Sequence, residues 1–262
     1  MKNDDWLCYA GKHVIVSGCH SGIGRATAQQ LCALGAQVHG FDWKPCDLAL
    51  ASYTPVDLRD AANIDAAVSG LTVRIDALFN CAGVPPGAPP LEVMKVNYIG
   101  TKYLTDSLVP VMGQGSAIVN VASTGGIGWP AILSEIKQLI AVDGYAPAEQ
   151  WCNAHLPIVS DGYRFSKAVL IVWTMARSAM LIKQGIRMNC TVPGAVQTPM
   201  LAEIEKTTPT AVIDQVAQPI GRRSSADEQA KALLFLNSPQ ASYINGVVLP
   251  VDGGFIATTA IQ

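Results

Sequence analysis

Long apolar runs are missing from this 262-residue chain. None approaches the ~18 residues that a membrane-crossing helix needs. Charge is scarce as well. Asp, Glu, Lys and Arg make up 15% of the residues, the net charge is −2, and no run carries one sign. Neither a nucleic acid nor an anionic membrane is therefore expected as a partner. The four histidines are scattered, so no metal site is expected. The seven cysteines, at 8, 19, 32, 46, 81, 152 and 190, are odd in number and form no CxxC. That pattern predicts reduced thiols in a cytoplasmic protein rather than a disulfide framework. The opening stretch, "MKNDDWLCYAGK", is charged and has no apolar core, so it does not read as a secretory signal. Pro/Ser-rich linkers, internal repeats and low-complexity tracts are also missing, which predicts one domain over 1–262.

What is present is apolar. Half of the residues are hydrophobic, enough for a sizeable core. "HVIVSG" (13–18) reads as a buried strand, "GRATAQQLCALGA" (24–36) as a helix and "QVHGFD" (37–42) as a second strand. Helix over 63–71, strand over 75–83, one long helix over 91–112 and strand over 116–123 follow. Helix over 163–185, strand over 186–194, helix over 226–238 and strand over 246–254 complete the chain. Alternating strands and helices predict an α/β fold: a Rossmann-type doubly wound parallel sheet.

"SGCHSGIGRA" puts Gly18, Gly22 and Gly24 between the first strand and the first helix. Glycines there permit a tight turn and let backbone amides and a helix N-terminus approach a pyrophosphate. The spacing is GxxxGxG rather than GxGxxG, and a purely structural turn is the alternative. Asp42 ends the second strand, 18 residues after Gly24. A carboxylate there accepts ribose hydroxyls and repels a 2′-phosphate, which predicts NAD over NADP; Lys44, two residues on, softens that preference. Asp57, after another short strand, is placed either to meet an adenine amino group or to cap a turn.

Tyr163 and Lys167 in "SDGYRFSKAV" are one helical turn apart. Taken alone such a pair is common. A phenol with a pKa near 10 is a poor base at neutral pH, and an ammonium beside it favours the phenolate. Ser123, about 40 residues upstream, supplies a hydroxyl to orient a substrate oxygen.

The motifs then accumulate in one order: "SGCHSGIG" (17–24), "NCAG" (80–83), "VNYIG" (96–100), "IVNVAS" (118–123), "YRFSK" (163–167), "VPGAVQTP" (192–199) and "VDGG" (251–254). Over residues 11–254 the chain resembles the short-chain dehydrogenase/reductase family. That resemblance implies an NAD-dependent oxidoreductase with Asn97, Ser123, Tyr163 and Lys167 as its catalytic set. It implies a cofactor site from Gly18, Ser21, Gly22, Ile23, Gly24, Asp42, Asp57, Leu58, Asn80, Ala82, Gly83, Tyr163, Lys167, Pro193, Gly194, Val196 and Thr198. Thr198 is matched to the residue that reaches the nicotinamide carboxamide. Two positions depart from the usual pattern: Ser17 replaces a threonine and Cys81 the second asparagine of the NNAG turn. Neither Ser21 nor Trp43 is basic, which again implies NAD.

The interval 124–162 is longer than the family's usual spacing and reads as an inserted, mostly helical flap beside the site mouth, with an oligomer contact as the alternative. Residues 198–218 read as a substrate lid. A similar insertion marks the 3α-hydroxysteroid dehydrogenase/carbonyl reductase group. "GWPA", "KAVLIVW", "RMNC" and "INGVVLPVDGG" are similar to the coniferyl-alcohol dehydrogenases. Both groups imply a hydrophobic alcohol or carbonyl substrate: aromatic, allylic, alicyclic or steroid-like. Trp129, Trp151 and Met200 are the expected pocket walls. The apolar 163–185 helix and the resemblance imply a homodimer or homotetramer. A dehydrogenase for a polar alcohol such as a sugar, or a non-catalytic NAD-binding regulator, are the other readings; an epimerase is disfavoured by the short C-terminal region.

Overall fold

A computed structural model describes residues 6–217 and 219–261. The first five residues of the opening stretch, Gln218 at the end of the expected lid and Gln262 lie outside the described residues.

The chain runs β1 (His13–Ser17), α1 (Gly22–Ala33), β2 (Gln37–Asp42), β3 (Ser52–Pro55), α2 (Ala61–Ser69) and β4 (Ile75–Asn80). It continues through α3 (Pro90–Met94), a π-helical stretch (Lys95–Gly100), α4 (Thr101–Leu108) and β5 (Met112–Val121). Three short helices follow, α5 (Leu133–Ile140), α6 (Tyr145–Ala154) and α7 (Leu156–Val159), then the long α8 (Gly162–Leu181). The last part holds β6 (Arg187–Pro193), β7 (Val196–Gln197), α9 (Pro199–Glu205), α10 (Thr210–Gln215), β8 (Ser224–Ser225), α11 (Ala226–Asn237), β9 (Val248–Val251) and α12 (Phe255–Thr259).

Seven strands form one sheet in the order β3-β2-β1-β4-β5-β6-β9. Every pairing in it is parallel. The order reverses between β1 and β4, whose Ser17 and Asn80 pair in register at their carboxyl ends. A crevice opens at such a switch point, where successive connections leave in opposite directions. Strands buried on both faces explain the unbroken apolar wording of "HVIV" and "ALF". One face is covered by α1 and α11, with Val14, Val16, Leu31 and Leu233 in its core. The other carries α2, α4 and α8 over Ile15, Leu78, Ile118 and Val169.

The sequence predicts one helix over 91–112. It is instead broken by the π-helical turn at Lys95–Gly100, and β5 already starts at Met112. Gly100 sits in that turn against the backbone of Leu58, where a Cβ would lie 2.1 Å from the Leu58 carbonyl oxygen. The widened turn falls at Asn97, and such turns recur at functional sites.

Residues 124–162 are mostly helical, as the sequence predicts, but their place differs from the expectation. α5 packs on α8, and α6 packs on α3 and the π turn. Ile136, Leu139, Tyr145, Cys152 and Val159 are buried in the same core as α8. The Tyr145 hydroxyl donates to the Leu58 carbonyl at 3.0 Å, and Lys95 pairs with Glu149 at 2.7 Å. The segment is thus a third layer over α8 rather than a rim of the crevice. This layer accounts for the apolar character of α8. Gly162–Gln184 is long and apolar enough to cross a membrane by length and composition, yet 67% of its qualifying 18-residue window is buried inside the protein.

The α8 backbone approaches the end of β5 closely. A Cβ on Gly126 would lie 2.6 Å from the Lys167 carbonyl carbon and 2.7 Å from the Ala168 nitrogen. Neither partner is a side chain that can swing away. Gly126→Ala is therefore expected to lower the melting midpoint by at least about 3 °C, read by thermal circular dichroism; an unchanged midpoint would mean that the contact is slack.

Candidate active site

A cleft of about 450 Å³ opens at the switch point, within the usual range for a ligand site. Its walls come from the loops after β1, β2, β3, β4, β5 and β6, together with α8 and α9. Most of the expected site residues line it.

The glycine loop forms one wall. Gly18 has a φ of +76°, and a Cβ there would meet the Ala82 backbone at 2.7 Å. A Cβ on Gly24 would lie 2.2 Å from the Gly18 carbonyl oxygen. No side chain fits at either place, which brings β1, the "NCAG" turn and α1 together. Ser21 caps α1 with no side-chain hydrogen bond to the helix. The first turn of this 12-residue helix faces the cleft through Ser21, Gly22 and Ile23, with its amides and dipole suited to an anion.

Asp42 stands beside the loop. Its Oδ2 accepts from the His20 backbone N–H and its Oδ1 from that of Lys44, both at 2.9 Å. Two of the four acceptor positions of the carboxylate are used this way. Asp57, Leu58, Trp43 and Lys44 extend the same end of the cleft.

At the other end, Ser123, Tyr163 and Lys167 converge. Ser123 lies two residues past the end of β5, and its Oγ accepts from the Gly125 N–H at 3.1 Å. Lys167 is buried, with Nζ donating to the Val121 carbonyl at 2.9 Å and lying 5.8 Å from the centre of the Tyr163 ring. Burial pushes its ammonium down to about 8. Burial also pushes the Tyr163 phenol above its ordinary value, while a hydrogen bond with Ser123 pulls it the other way. Among the protein's own groups, desolvation outweighs the help to the phenolate that the sequence assigns to Lys167.

Three expected site residues stand behind the wall. Gly24 acts through close packing alone. Asn80 donates to Thr105 Oγ1 at 2.9 Å and to Asn120 Oδ1 at 2.8 Å, tying β4 to α4 and β5. Asn97 Oδ1 accepts from the Val84 N–H at 2.8 Å, and its Nδ2 donates to the Val84 carbonyl at 3.1 Å. A Cβ on Gly83 would lie 3.3 Å from Asn97 Oδ1 and 3.7 Å from Lys167 Nζ, so both approach the site from behind that glycine.

Ala82, Gly83, Pro193, Gly194, Val196 and Thr198 line the cleft as expected. The Thr198 hydroxyl is already engaged locally, where Oγ1 accepts from the Leu201 N–H at 3.3 Å and starts α9. Met200 is a wall, as predicted. Trp129 and Trp151 are not, and no residue of 124–162 is. Trp151 instead stacks on His155, with ring centres 3.9 Å apart, and Trp129 packs against the core.

The sequence reading passed over His20, Arg59, Val84, Pro85 and Val96, all of which line the cleft. Their signal was proximity to motifs; no residue type announced them. Cys81 also lines it, but burial pushes its thiol up to about 12. It stays protonated and is no nucleophile at neutral pH.

Comparison with known proteins agrees with this geometry. Residues 12–133 match the family model described as short chain dehydrogenase, and 155–256 match the one described as enoyl-(acyl carrier protein) reductase. The unmatched interval falls inside the helical layer over α8. A coniferyl-alcohol dehydrogenase of Pseudomonas sp. is 38% identical over 94% of this chain and 97% of its own. The 3-alpha-hydroxysteroid dehydrogenase/carbonyl reductase of Comamonas testosteroni is 32% identical over 93% and 96%. The crystal structure of a 3-alpha-hydroxysteroid dehydrogenase from Pseudomonas sp. B-0831, complexed with NADH, superposes with a TM-score of 0.82 at 31% identity, covering 96% of this chain and 99% of that one. With a relative this similar along nearly its whole length, and with the glycine loop and the serine, tyrosine and lysine gathered in one cleft, the chain belongs to the short-chain dehydrogenase/reductase family.

Proposed function

We propose that this chain is an NAD-dependent oxidoreductase that interconverts a hydrophobic alcohol and its carbonyl, with Tyr163 as general acid/base. The observation that carries the reading is the convergence of Ser123, Tyr163 and Lys167 at one end of a cleft whose other end is the α1 N-terminus and Asp42. Relatives named for coniferyl alcohol and for 3-alpha-hydroxysteroids support an apolar substrate. So do the apolar cleft walls Val84, Pro85, Val96, Met200, Leu201 and Ile204.

The site suits the dinucleotide. Gly18 and Gly24 let β1, the turn after β4 and α1 pack closely into one wall, and the α1 amides would hold the pyrophosphate charge. Asp42 retains two acceptor positions for ribose hydroxyls. When bound, the nicotinamide supplies the hydride acceptor or donor. The chain's own residues handle the proton. Ser123 orients the substrate oxygen, and Tyr163 takes its proton at Oη in oxidation or returns it in reduction. Lys167, fixed by the Val121 carbonyl, supplies positive charge behind the phenol and is suited to hold the nicotinamide ribose. Asn97 positions Val84 and the turn beside them. We read 198–217 of the expected lid as the part that closes over an apolar substrate and excludes water.

The wider reading is a cytoplasmic homodimer or homotetramer. All seven cysteines are free, in keeping with a reducing compartment, and the exposed Tyr243, Ile261, Met180 and Ile182 supply apolar surface for contacts between copies.

Tyr163→Phe is expected to lower kcat for alcohol oxidation by at least ~100-fold in a reduced-nicotinamide absorbance assay with cinnamyl, alicyclic and steroid alcohols. Retained turnover would exclude Tyr163 as the base. Because burial raises the Tyr163 phenol, its base form is scarce at neutral pH. Oxidation should therefore speed up as pH rises above 7, while reduction, which needs the protonated phenol, should not. Profiles of kcat/KM in both directions test this; an oxidation rate that falls from pH 7 to 9 would contradict it. Asp42→Ser should move the ratio of kcat/KM with NAD to that with NADP at least tenfold toward NADP. A wild type that prefers NADP would remove the role given to Asp42.

A further inference from the structure

The helices α9 and α10 hang between two short strands that pair with each other. β7 and β8 run parallel there, Val196 beside Ser224 and Gln197 beside Ser225. The Ser224 N–H donates to the Ala195 carbonyl at 3.0 Å. Each hanging helix buries a single residue, Leu201 in α9 and Ile213 in α10. So little apolar burial puts the pair at the low end of local stability. The polar contacts that hold it then matter more than they would in a core.

Two neighbouring arginines precede β8, and they face different elements. Arg222 is turned to the scaffold. Its Nη1 donates to Glu228 Oε2 at 2.9 Å and its Nη2 to Oε1 at 2.6 Å. Glu228 also accepts from the Ser225 N–H at 2.8 Å, in the capping box that starts α11. Arg223 is turned to the hanging helices. Its Nη1 donates to Glu205 Oε1, the last residue of α9, at 2.6 Å. Its Nε and Nη2 meet Asp214 Oδ1 of α10 at 3.1 and 3.0 Å. The Arg223 side chain is 19% exposed, against 56% for Arg222. One guanidinium can hold two carboxylates because its N–H groups spread in a planar fork. Glu205 directly follows Ile204, which lines the cleft with Met200 and Leu201, while Arg223, Glu205 and Asp214 stand outside it.

On the reading that the cleft takes an apolar alcohol, we propose that Arg223 is a positioning residue for that substrate. It seats α9 and α10 as one body and so fixes where Met200, Leu201 and Ile204 stand. Loss of this grip lowers the share of molecules whose wall is in place. Apparent substrate binding weakens by that share, while the chemistry of a filled site is unchanged.

Arg223→Gln tests this in two ways. The first needs no substrate. Lys206 follows α9 directly, and trypsin cleavage after it, read by mass spectrometry as the 1–206 fragment, reports how often the helices come loose. The variant should release that fragment at least about fivefold faster than the wild type, with the thermal midpoint kept within about 2 °C. The second is the steady state at saturating NAD with cinnamyl and alicyclic alcohols. There KM should rise at least about fivefold and kcat stay within about twofold. Adding Glu205→Gln and Asp214→Asn to Arg223→Gln should cause no further loss, because their shared partner is already gone. Slower release of the fragment than this would overturn the proposal. So would faster release with an unchanged KM, a fall in kcat alone, or a further loss on adding the two acid variants. Failure of the substrate reading shows separately: the wild type then turns over none of these alcohols, which overturns the proposal too, while the fragment assay is unaffected.

Discussion

The buried ammonium of Lys167 donates to the carbonyl of Val121, and this one bond ties α8 to the last residue of β5. The strand is thereby held to the helix that carries Tyr163, while Ser123 follows two residues beyond Val121. The arrangement has an electrostatic cost. With no carboxylate partner among the described residues, burial draws the Lys167 ammonium down to about 8. The close approach depends on Gly126, because a side chain there would wedge the helix away from the strand.

The helical layer over α8 makes this burial durable. Without it, the side of α8 that α5 covers would face water or another chain; with it, α5 packs there and Ile136 and Leu139 join the core that α8 shares. The insertion therefore contributes to the core, and the cleft is lined instead by residues of α9 and of the turn after β4. The two ends of the cleft differ in kind as well. The catalytic end relies on desolvation and convergence. The end at the α1 N-terminus holds backbone amides, an Asp42 carboxylate with two backbone partners and an Asp57 carboxylate paired with Arg59.

Much of the site was legible because its residues sit at strand ends. Gly18, Ser123 and Pro193 each lie at or just beyond the carboxyl end of a parallel strand, and a doubly wound sheet brings all those ends to one crevice. The strand–helix alternation places Gly18 at such an end, and the family resemblance supplies Ser123 and Pro193. Asn80 and Asn97 were named with the same set but turned out to act from behind the wall, since a motif does not say which way its amide points. The π turn was missed because an extra residue in one helical turn leaves the apolar pattern almost unchanged. Trp129 and Trp151 were misplaced for a similar reason. An aromatic side chain suits a pocket and a core equally well, and only the packing partner tells them apart.

The sequence by itself determined the order of strands and helices and the glycine loop, and its family resemblance singled out the serine, tyrosine and lysine that the fold gathers in one cleft. Those features depend on local spacing and on chirality, which allows one hand of crossover. Tertiary structure alone decided where the 124–162 insertion lies, which partner Asp42 finds in the loop after β1, and in which direction burial moves the charges on Lys167 and Tyr163. Each of these depends on neighbours distant in the chain, whose distances and desolvation arise only when the layers pack.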